Sequence, residues 1–493
     1  QVTPLNIRSF IRDEGCENVH YPPEILAPLP YLEKCLSTIK GSAVYPNDPQ
    51  YYDCIRVANC RNPYFPVVVV YVAEILDIQK SIHCANSLNI SVVARSGGHS
   101  FEGYGDGGKN GAMVIDVQGF NQIDINTETK TVVIGTGNRL GPVYYKLYQA
   151  GFLIPAGSCA NVGIGGHATG GGFGVVARKY GLASDNIISA EMVIANGTFI
   201  SPINSTHHSD LFFVLRGAGN AGYGIITSLT FRIHPIQPIV TSINISYYSE
   251  QVELVFMSLS KVSKNLSENL TPYLAVLAES SGYYTISITA TYLGPAEEAR
   301  IAVKELIELS NPAYIKFEEM TWWRSVMETF TQQQTIHPVF PPQPFKSTSY
   351  NIPLPGLSRE GIRFLVNFIS NVECTTVALF DVYAGGGVIN RISGNNSAYI
   401  HRNLLFVLQL EMKLSDRDKE TQIKCVEKHL QFRQEFQAKY TSYFSYQDYI
   451  DKDLPDWATR YYGVHLPRLI ETKKKYDPNN LFNWEQSIPT KLP

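Results

Sequence analysis

The stretch Pro155 to Gly174 limits what this chain can fold into more than any other part of the sequence. It reads PAGSCANVGIGGHATGGGFG and holds eight glycines, one cysteine, one histidine and no charged side chain. Glycine is concentrated where a backbone turns sharply or approaches a ligand closely, and rows of open backbone N–H groups suit a phosphate or a flat polar ring. A second patch, RSGGHS at Arg95 to Ser100, has the same character. We predict that the two stretches hold one large cofactor between them.

Length and charge narrow the classes of protein to which the chain can belong. Its 493 residues exceed one ordinary core, so we expect two domains. The net charge is -3 and there is no basic block, which argues against nucleic acid or an anionic membrane as the main partner. No apolar run approaches the roughly 20 residues of a membrane helix. We expect a monomer that acts on a small molecule.

Two features favour a secreted, extracellular glycoprotein. The chain begins with Gln1 and not with Met, as a processed product does. It also carries seven Asn-x-Ser/Thr acceptor sites for N-linked glycans. The predicted glycosylation sites are Asn89, Asn196, Asn204, Asn244, Asn265, Asn269 and Asn395.

The eight cysteines lack any CxxC pair, which argues against zinc, and we expect no metal. In an oxidising compartment most of them should pair. Cys54 and Cys60 are close enough to close a small loop. If Cys159 is reserved for chemistry, seven cysteines remain and one must stay free. The connectivity is left open among Cys16, Cys35, Cys54, Cys60, Cys84, Cys374 and Cys425.

The hydrophobic pattern changes near the prolines at 235 and 238, where we place a boundary. Before it, strands at 66–72, 90–94, 112–117, 131–135, 190–195 and 224–231 alternate with helices at 73–86 and 140–150, after a helical lead-in over 1–61. After it, a strand at 285–291 and helices at 296–309 and 359–372 indicate an antiparallel α+β unit. The predicted domains are 1–237, 238–440, and a C-terminal segment, 441–493, that returns to the first.

A dinucleotide-binding Rossmann unit is the obvious alternative for the cofactor. Gly135, Gly137 and Gly141 follow a strand and precede a helix, but three residues separate the last two glycines where the fingerprint has two. No Asp or Glu occurs between Glu128 and Asp185, so the acid that binds the ribose is missing. We therefore disfavour a nicotinamide cofactor.

Three motifs in order resemble the vanillyl-alcohol-oxidase (PCMH-type) flavoprotein superfamily: RSGGHS, GSCANVGIGGHATGGGFG and the closing WEQSIP. They are most similar to its berberine-bridge-enzyme-like branch, which includes fungal oligosaccharide oxidases. The resemblance implies an α+β fold in which a PCMH-type FAD-binding domain is joined to a substrate domain with a large antiparallel sheet covered by helices. It also implies FAD held by two covalent bonds, from His99 to the 8α-methyl carbon and from Cys159 to C6.

The residue types agree with this cofactor, because a neutral imidazole and a thiolate are nucleophiles that can attack an electron-poor ring. Two such bonds should raise the reduction potential of the flavin. We expect Gly217, Gly219 and Gly222 to support the adenine side, and His167 to be structural. Two interpretations of Trp484 and Gln486 stay open. They pack under the flavin or substrate, or they only anchor the C-terminus. The predicted FAD-binding residues are His99, Cys159, Arg95, Ser96, Gly97, Gly98, Ser100, Val162, Gly163, Gly165, Gly166, Gly170, Gly224 and Ile225.

The resemblance also assigns roles in turnover. Val162, three residues after Cys159, occupies the position that gates oxygen, and its small size predicts an oxidase that releases H₂O₂. The segment from Tyr443 to Asp448 resembles the family's Y-x-N-Y-x-D segment, with Ser445 in place of asparagine. This makes Tyr446 the predicted base. Asp381 is predicted to assist it, and Gln409 and Tyr443 are predicted to contact the substrate.

Some positions depart from the oligosaccharide oxidases. Phe101 replaces a tyrosine and Leu379 a glutamine, which removes two polar groups that could bind a sugar. Asn390 falls near the catalytic acid of the plant enzymes, which counts against C–C ring closure. The first hypothesis is oxidation of the anomeric C1 hydroxyl of a mono- or oligosaccharide to a lactone. The second is oxidation of a primary or aromatic alcohol to an aldehyde, and the third is a binding or defence flavoprotein with vestigial turnover.

Overall fold

The computed structural model describes residues 22–26, 29–278, 282–329, 342–382, 385–415 and 417–491. Cys16 and the start of the predicted helical lead-in lie outside these residues. Within them, no helix combines the length and the apolar character that crossing a membrane requires. Three sheets and a two-stranded ribbon organise the described part of the chain.

The first sheet has four short, mainly apolar strands in the order β1-β2-β4-β3. β4 pairs in parallel with both β2 and β3, and β1 is antiparallel to β2. The central strands β2 and β4 are buried along almost their whole length, as their runs of apolar residues predict. Its elements are α1 Leu29–Leu36, β1 Ser42–Val44, α2 Tyr51–Cys54, β2 Val68–Tyr71, α3 Ile75–Leu88, β3 Val92–Arg95 and β4 Met113–Asp116.

The second sheet is antiparallel, in the order β5-β6-β10-β8-β9. The glycine-rich stretch from Pro155 to Gly174 contains a helix, Ile164–Gly170. Glycine in a helix costs about 1 kcal/mol relative to alanine, so packing against the neighbouring loop must stabilise it. The elements here are β5 Ile123–Asn126, β6 Thr131–Gly135, α4 Leu140–Gln149, β7 Phe152–Leu153, α5 Ile164–Gly170, α6 Ala177–Tyr180, β8 Ile187–Val193, β9 Phe199–Ile203, α7 Ser209–Val214, β10 Ile225–Arg232 and β11 His234–Pro235, of which β7 and β11 form the ribbon.

The third sheet has seven antiparallel strands in the order β15-β12-β14-β13-β17-β18-β16. One face is apolar and is covered by helices, whose Leu365, Phe432 and Phe436 join the sheet core. The fold class predicted from the sequence is therefore confirmed. The elements are β12 Ile239–Tyr247, α8 Val252–Ser263, β13 Leu270–Ala278, β14 Tyr284–Tyr292, α9 Ala296–Ala302, α10 Lys304–Ser310, β15 Tyr314–Thr321, α11 Trp322–Thr329, β16 Phe345–Ile352, α12 Arg359–Asn371, β17 Thr376–Asp381, α13 Gly387–Arg391, β18 Phe406–Lys413 and α14 Lys419–Tyr440.

The C-terminal segment, with α15 Trp457–Tyr462 and α16 Leu466–Tyr476, packs against the N-terminal half of the chain. Ile488 donates its backbone N–H to Ala221, and Val92 donates to Leu481. The side chains of α15 and α16 share one hydrophobic cluster with β6, β8 and β10. The domain boundaries at 237 and 440 stay a prediction.

The cysteines pair differently from the one short loop that spacing suggested. Disulfides join Cys35 to Cys84 and Cys374 to Cys425. Cys60 is also disulfide-bonded, whereas Cys54 carries a free thiol. The proposed Cys54–Cys60 loop is therefore wrong.

A buried cation joins three parts of the chain. The ammonium of Lys346 on β16 donates to Glu102 (3.3 Å), to Asp453 (2.8 Å) and to Asp451. Arg433 of α14 donates to the other oxygen of Asp451 at 2.9 Å. The side chains of Lys346, Glu102 and Asp451 are at most 1% exposed. Their mutual attraction therefore acts with little screening by water.

Replacing Lys346 with methionine should destabilise the protein strongly. The change keeps the length of the side chain but leaves several buried carboxylates without their main counter-charge, which costs about 3–5 kcal/mol of unfolding free energy. Urea unfolding of the flavin-loaded protein measures this loss. Lys304→Met is the matched control, because Lys304 is exposed and its 3.7 Å pair with Glu308 contributes little. Equal midpoints for the two variants would contradict the assignment.

Candidate functional site

The two glycine-rich stretches touch through their backbones. A Cβ atom on Gly97 would lie 2.3 Å from the nitrogen of Gly163, and one on Gly163 would lie 2.2 Å from the nitrogen of Gly97. Only glycine at both positions allows this approach. Arg139 donates to the carbonyl of Gly97 at 3.0 Å and to that of Asn161, which ties the two loops together. They form one neutral surface.

This surface has room for a flat cofactor. A Cβ atom on Gly166, in the first turn of α5, would meet nothing within 4 Å, so open space lies above that backbone. Gly165 instead packs on Thr136 and on Ser96, whose hydroxyl donates to the Thr136 carbonyl. The cradle is rich in exposed backbone, which fits FAD. When bound, FAD supplies a hydride acceptor at N5.

His99 and Cys159 flank the cradle in states that differ. His99 is half-buried, and burial together with the charge of Arg139 lowers its pKa to about 4, so its imidazole is neutral at pH 7. Cys159 is an exposed residue with a free thiol. Desolvation of the thiol by the protein around it, together with the carboxylates of Glu411 and Asp381, raises its pKa to about 11. Both residues suit covalent attachment in type and place.

His167 positions the Cys159 loop. Its Nε2 accepts the N–H of Gly157 at 2.8 Å, and burial lowers its pKa to about 4. Cβ atoms on Gly157 and Gly172 would lie 2.8 and 3.0 Å from the ring, so two motif glycines make room for this histidine. Such contacts agree with a structural role.

Several other residues that were predicted to bind the cofactor are in contact with other parts of the protein. Arg95 is buried between Asp106 (2.9 Å) and Asp116 (2.6 Å). Gly98 has a φ of +67°, and the Ser100 hydroxyl accepts the N–H of Glu102 at 3.4 Å. Val162 is half-buried and packs on the hydrophobic cluster that α15 and α16 share with β6, β8 and β10. Side chains or backbone of the protein fill the Cβ positions of Gly170, Gly217, Gly219, Gly222 and Gly224, and Ile225 lies in the core of the first sheet.

The C-terminal motif acts as an anchor in this structure. Gln486 is buried and donates to the carbonyl of Asp451 at 2.8 Å. Trp484 lies against Gly108, where a Cβ atom would approach its side chain to 2.5 Å.

Asn390, which lies outside the C-terminal motif, donates to the carbonyl of Leu404 at 2.9 Å.

The tyrosine beside Asp381 is Tyr449 and not Tyr446. The Tyr449 hydroxyl donates to Oδ2 of Asp381 at 3.1 Å. The Tyr446 hydroxyl donates to Asp448 at 2.7 Å and accepts the N–H of Gly172 at 2.9 Å. The predicted pairing of Asp381 with Tyr446 is therefore corrected. The sequence cannot show which tyrosine contacts Asp381. That depends on how the segment from Tyr443 to Tyr449 is placed along the edge strand β16, because this placement decides which tyrosine reaches β17.

Aromatic rings fix Tyr449 in place. Phe101 stacks on it with centroids 5.4 Å apart and planes 5° apart, and Phe173 meets it edge-on at 5.9 Å. The regular spacing of Tyr443, Tyr446 and Tyr449 was the available sequence signal, but it did not distinguish among them. Tyr443 is exposed: its hydroxyl donates to Asp456 at 3.4 Å and Arg460 lies over its ring. The structure does not bring Tyr443 to Asp381.

The polar face of the third sheet forms the floor of the site. Strand register puts Leu379 opposite Gln409, and Gln409 opposite Ser349. Gln409 is buried and donates to Glu411 at 3.2 Å. Glu411 was missed in the sequence, where it reads as an ordinary strand residue. The predicted residues Asp381 and Gln409 thus share one surface.

Comparison with known proteins agrees with this geometry. Residues 66–201 match a family model described as FAD binding domain, and residues 445–489 match one described as berberine and berberine like. A solved structure of Physcomitrella patens BBE-like 1 is 33% identical and has a TM-score of 0.88, covering 94% of this chain and 100% of that chain. An uncharacterized FAD-linked oxidoreductase of Bacillus subtilis (strain 168), YvdP, is 27% identical over 92% of this chain and 98% of its own length.

A third structure shares the fold at lower identity. The glucooligosaccharide oxidase of Acremonium strictum, studied for its 6-S-cysteinyl, 8α-N1-histidyl FAD, has a TM-score of 0.84 and is 21% identical, covering 94% of this chain and 100% of that chain. The fold, the cradle and these matches together define a PCMH-type flavoprotein. The chain belongs to the berberine-bridge-enzyme-like family of FAD-linked oxidoreductases.

Proposed function

We propose that this protein is an oxidase that converts the anomeric C1 hydroxyl of a mono- or oligosaccharide to a lactone. The Tyr449–Asp381 pair carries the proposal, because it puts a proton acceptor with a carboxylate partner beside the Cys159 edge of the cradle. Tyr449 would take the proton of the C1 hydroxyl while it gives its own hydroxyl proton to Oδ2 of Asp381. FAD held in the cradle would supply the acceptor for the two electrons, and O₂ with two protons would take them up as H₂O₂.

Tyr449 serves as the base in this proposal, and Tyr446 holds the backbone. Burial and the carboxylate of Asp448 raise the pKa of Tyr446 well above its usual value. Asp448 in turn accepts from Asn220 at 2.8 Å, and Asn220 also donates to the carbonyl of Gly166. Tyr446 therefore belongs to a chain of hydrogen bonds that supports α5.

Val162 supports the choice of oxygen as electron acceptor. It follows Cys159 by three residues, and its backbone N–H donates to the Cys159 carbonyl at 3.3 Å. A small side chain there leaves more room beside the C6 edge than a leucine would. We include covalent attachment through His99 and Cys159 in the proposal, since they belong to the two glycine-rich stretches whose backbones touch at Gly97 and Gly163.

A primary or aromatic alcohol is the second candidate substrate. Phe101, Phe173 and Leu379 give the site an apolar wall that would suit an aromatic ring. In that case the same Tyr449–Asp381 pair takes the proton and the product is an aldehyde.

Two tyrosine variants test the proposed reaction. Tyr449→Phe keeps the stacking on Phe101 but removes the proton acceptor, so we expect substrate-driven flavin reduction to slow by about 10²–10⁴-fold. Tyr446→Phe should change that rate by less than about tenfold. Stopped-flow absorbance with cellobiose, lactose, chitooligosaccharides and aromatic alcohols measures the rates, and peroxide release in air identifies the acceptor.

The outcomes separate the candidates. Slow reduction in Tyr446→Phe with normal reduction in Tyr449→Phe would return the role of base to Tyr446. Turnover of aromatic alcohols without sugars would favour the second candidate. Silence on the whole panel would overturn both, and sugar-driven reduction without peroxide release would make the protein a dehydrogenase.

Covalent attachment has its own test. After denaturation and precipitation, the yellow colour should stay with the wild-type protein and with the single variants His99→Ala and Cys159→Ala, because each variant keeps one bond. The double variant should release its flavin into the supernatant. Loss of colour from the wild type would contradict both bonds.

We also propose that the protein is secreted and N-glycosylated. Two described disulfides suit an oxidising compartment. The asparagines of the seven acceptor sites are all exposed or half-buried, so a glycan can reach each of them. Digestion with an N-glycosidase should lower the mass of protein collected from the culture medium of its source. An unchanged mass would argue against glycosylation.

A further inference from the structure

Asn161 lies at the contact between the two glycine-rich stretches. A Cβ atom on Gly97 would lie 3.3 Å from the Asn161 carbonyl oxygen, which also accepts a hydrogen bond from the Arg139 guanidinium. Arg139 directly precedes helix α4, and its backbone pairs with that of Gly163. The backbone of Asn161 is therefore held against the stretch that carries His99.

The side chain of Asn161 reaches the His99 ring. The two side chains are hydrogen-bonded, and this bond by itself acts to raise the pKa of His99. That direction is expected when the Asn161 oxygen accepts and an imidazole N–H donates. A neutral imidazole that donates from one nitrogen carries its lone pair on the other. Asn161 therefore decides which nitrogen of His99 can form a bond to carbon.

The surroundings of His99 keep its ring uncharged. Burial, the charge of Arg139 and the neighbouring His167 lower the pKa of His99 to about 4 in spite of the bond to Asn161. The recorded hydrogen bonds of Arg139 go to the backbone carbonyls of Gly97 and Asn161, which do not cancel its charge. The ring at pH 7 is thus a neutral nucleophile whose orientation is set by one amide.

Cys159 lies two residues before Asn161 in the same stretch, but its thiol answers to other groups. Desolvation and the carboxylates of Glu411 and Asp381 raise the pKa of that thiol to about 11. Asn161 is not among the groups that shift it. A change in the Asn161 side chain should therefore affect a bond at His99 and spare a bond at Cys159.

We propose that Asn161 is a positioning residue for the attachment of FAD to His99. Its side-chain oxygen holds the imidazole N–H, so that the other ring nitrogen presents its lone pair to the 8α carbon, while Arg139 fixes the Asn161 backbone. This role rests on the covalent attachment that is part of the proposed function.

The attachment step balances without a further reagent besides O₂. The bond from the ring nitrogen of His99 to the 8α carbon forms, and one 8α C–H bond and the imidazole N–H bond break. The two hydrogens and their electron pair pass to the flavin, and O₂ then takes them up as H₂O₂. Asn161 takes no part in the electron transfer, because it only orients the ring.

The two attachment bonds can be followed separately. In a Cys159→Ala background, flavin that stays with acid-precipitated protein reports the bond to His99 alone, and in a His99→Ala background it reports the bond to Cys159 alone. Full-length protein from a riboflavin-limited host is incubated with FAD in air at pH 8, and the retained flavin is measured over time. Flavin absorbance before precipitation gives the total bound FAD and shows whether the cradle is intact.

Two variants of Asn161 test the positioning role. Asn161→Leu removes the acceptor, so we expect attachment in the Cys159→Ala background to slow by about tenfold, as the loss of one hydrogen bond predicts. Total bound FAD should stay unchanged, and so should attachment in the His99→Ala background. Asn161→Asp keeps an oxygen acceptor and should restore the rate to within about threefold, because at pH 8 the ring stays neutral beside the added carboxylate.

Asn367→Leu, at an exposed position of α12, is the matched control and should leave both attachment rates at the level of their backgrounds. If Asn161→Leu does not fold, Asn161→Ala takes its place. Equal slowing of the two bonds would mean that the cradle is distorted and would overturn the role. A rate within about twofold of the Cys159→Ala background would overturn it as well.

Failure of the proposed function has a different signature. If Cys159→Ala alone retains no flavin, the bond to His99 is absent, and the role of Asn161 is rejected with it. If the loaded enzyme releases no peroxide on the whole substrate panel, the oxidase function is rejected, whereas selective slowing of attachment by Asn161→Leu would still support the positioning role.

Discussion

The contact on which the active site depends most is the buried ammonium of Lys346. It binds Glu102, which follows Phe101 directly, and Asp451, which lies two residues after Tyr449. The two rings that stack on each other are therefore held from behind by one cation. Because Lys346 itself stands on the edge strand β16, the FAD-binding loop, the C-terminal segment and the large sheet are fixed relative to one another at this point. A charge buried without its partners costs several kcal/mol, so these groups are stable only together.

The cradle meets a second requirement of the site: a flat, phosphorylated cofactor must lie close to the protein backbone. Glycines at 97 and 163 allow two loops to touch, and the open space at Gly166 leaves one surface free for the cofactor. The glycine content of α5 weakens that helix. Hydrogen bonds compensate for this: Asn220 donates to the Gly166 carbonyl, and Tyr446 accepts from Gly172. Tyr446, which the sequence predicts to be the base, thus also supports the cradle.

The sequence was informative where chemistry imposes a local pattern. The contact between the two glycine-rich stretches could be predicted, because their motifs are contiguous and cofactor binding restricts them. The roles of His99, Cys159, Asp381 and Gln409 stay predictions. The three-residue slip from Tyr446 to Tyr449 could not be resolved, because three tyrosines recur at equal spacing and only the pairing with β17 separates them. Glu411 was invisible for a similar reason: a glutamate on a strand is ordinary until the sheet register puts it beside Gln409. The free thiol of Cys54 likewise depends on the disulfide at Cys60, which spacing does not reveal.

The carboxylates of Asp381 and Glu411 affect the proposed chemistry of the site. In the proposed reaction, Asp381 would accept the proton that Tyr449 passes on. The same negative charges stabilise the protonated form of Cys159, whose pKa they raise to about 11 together with burial. A thiol is a poor nucleophile, whereas His99 is neutral and reactive at pH 7. In the proposed covalent attachment, these charges therefore disfavour the cysteinyl bond relative to the histidyl bond.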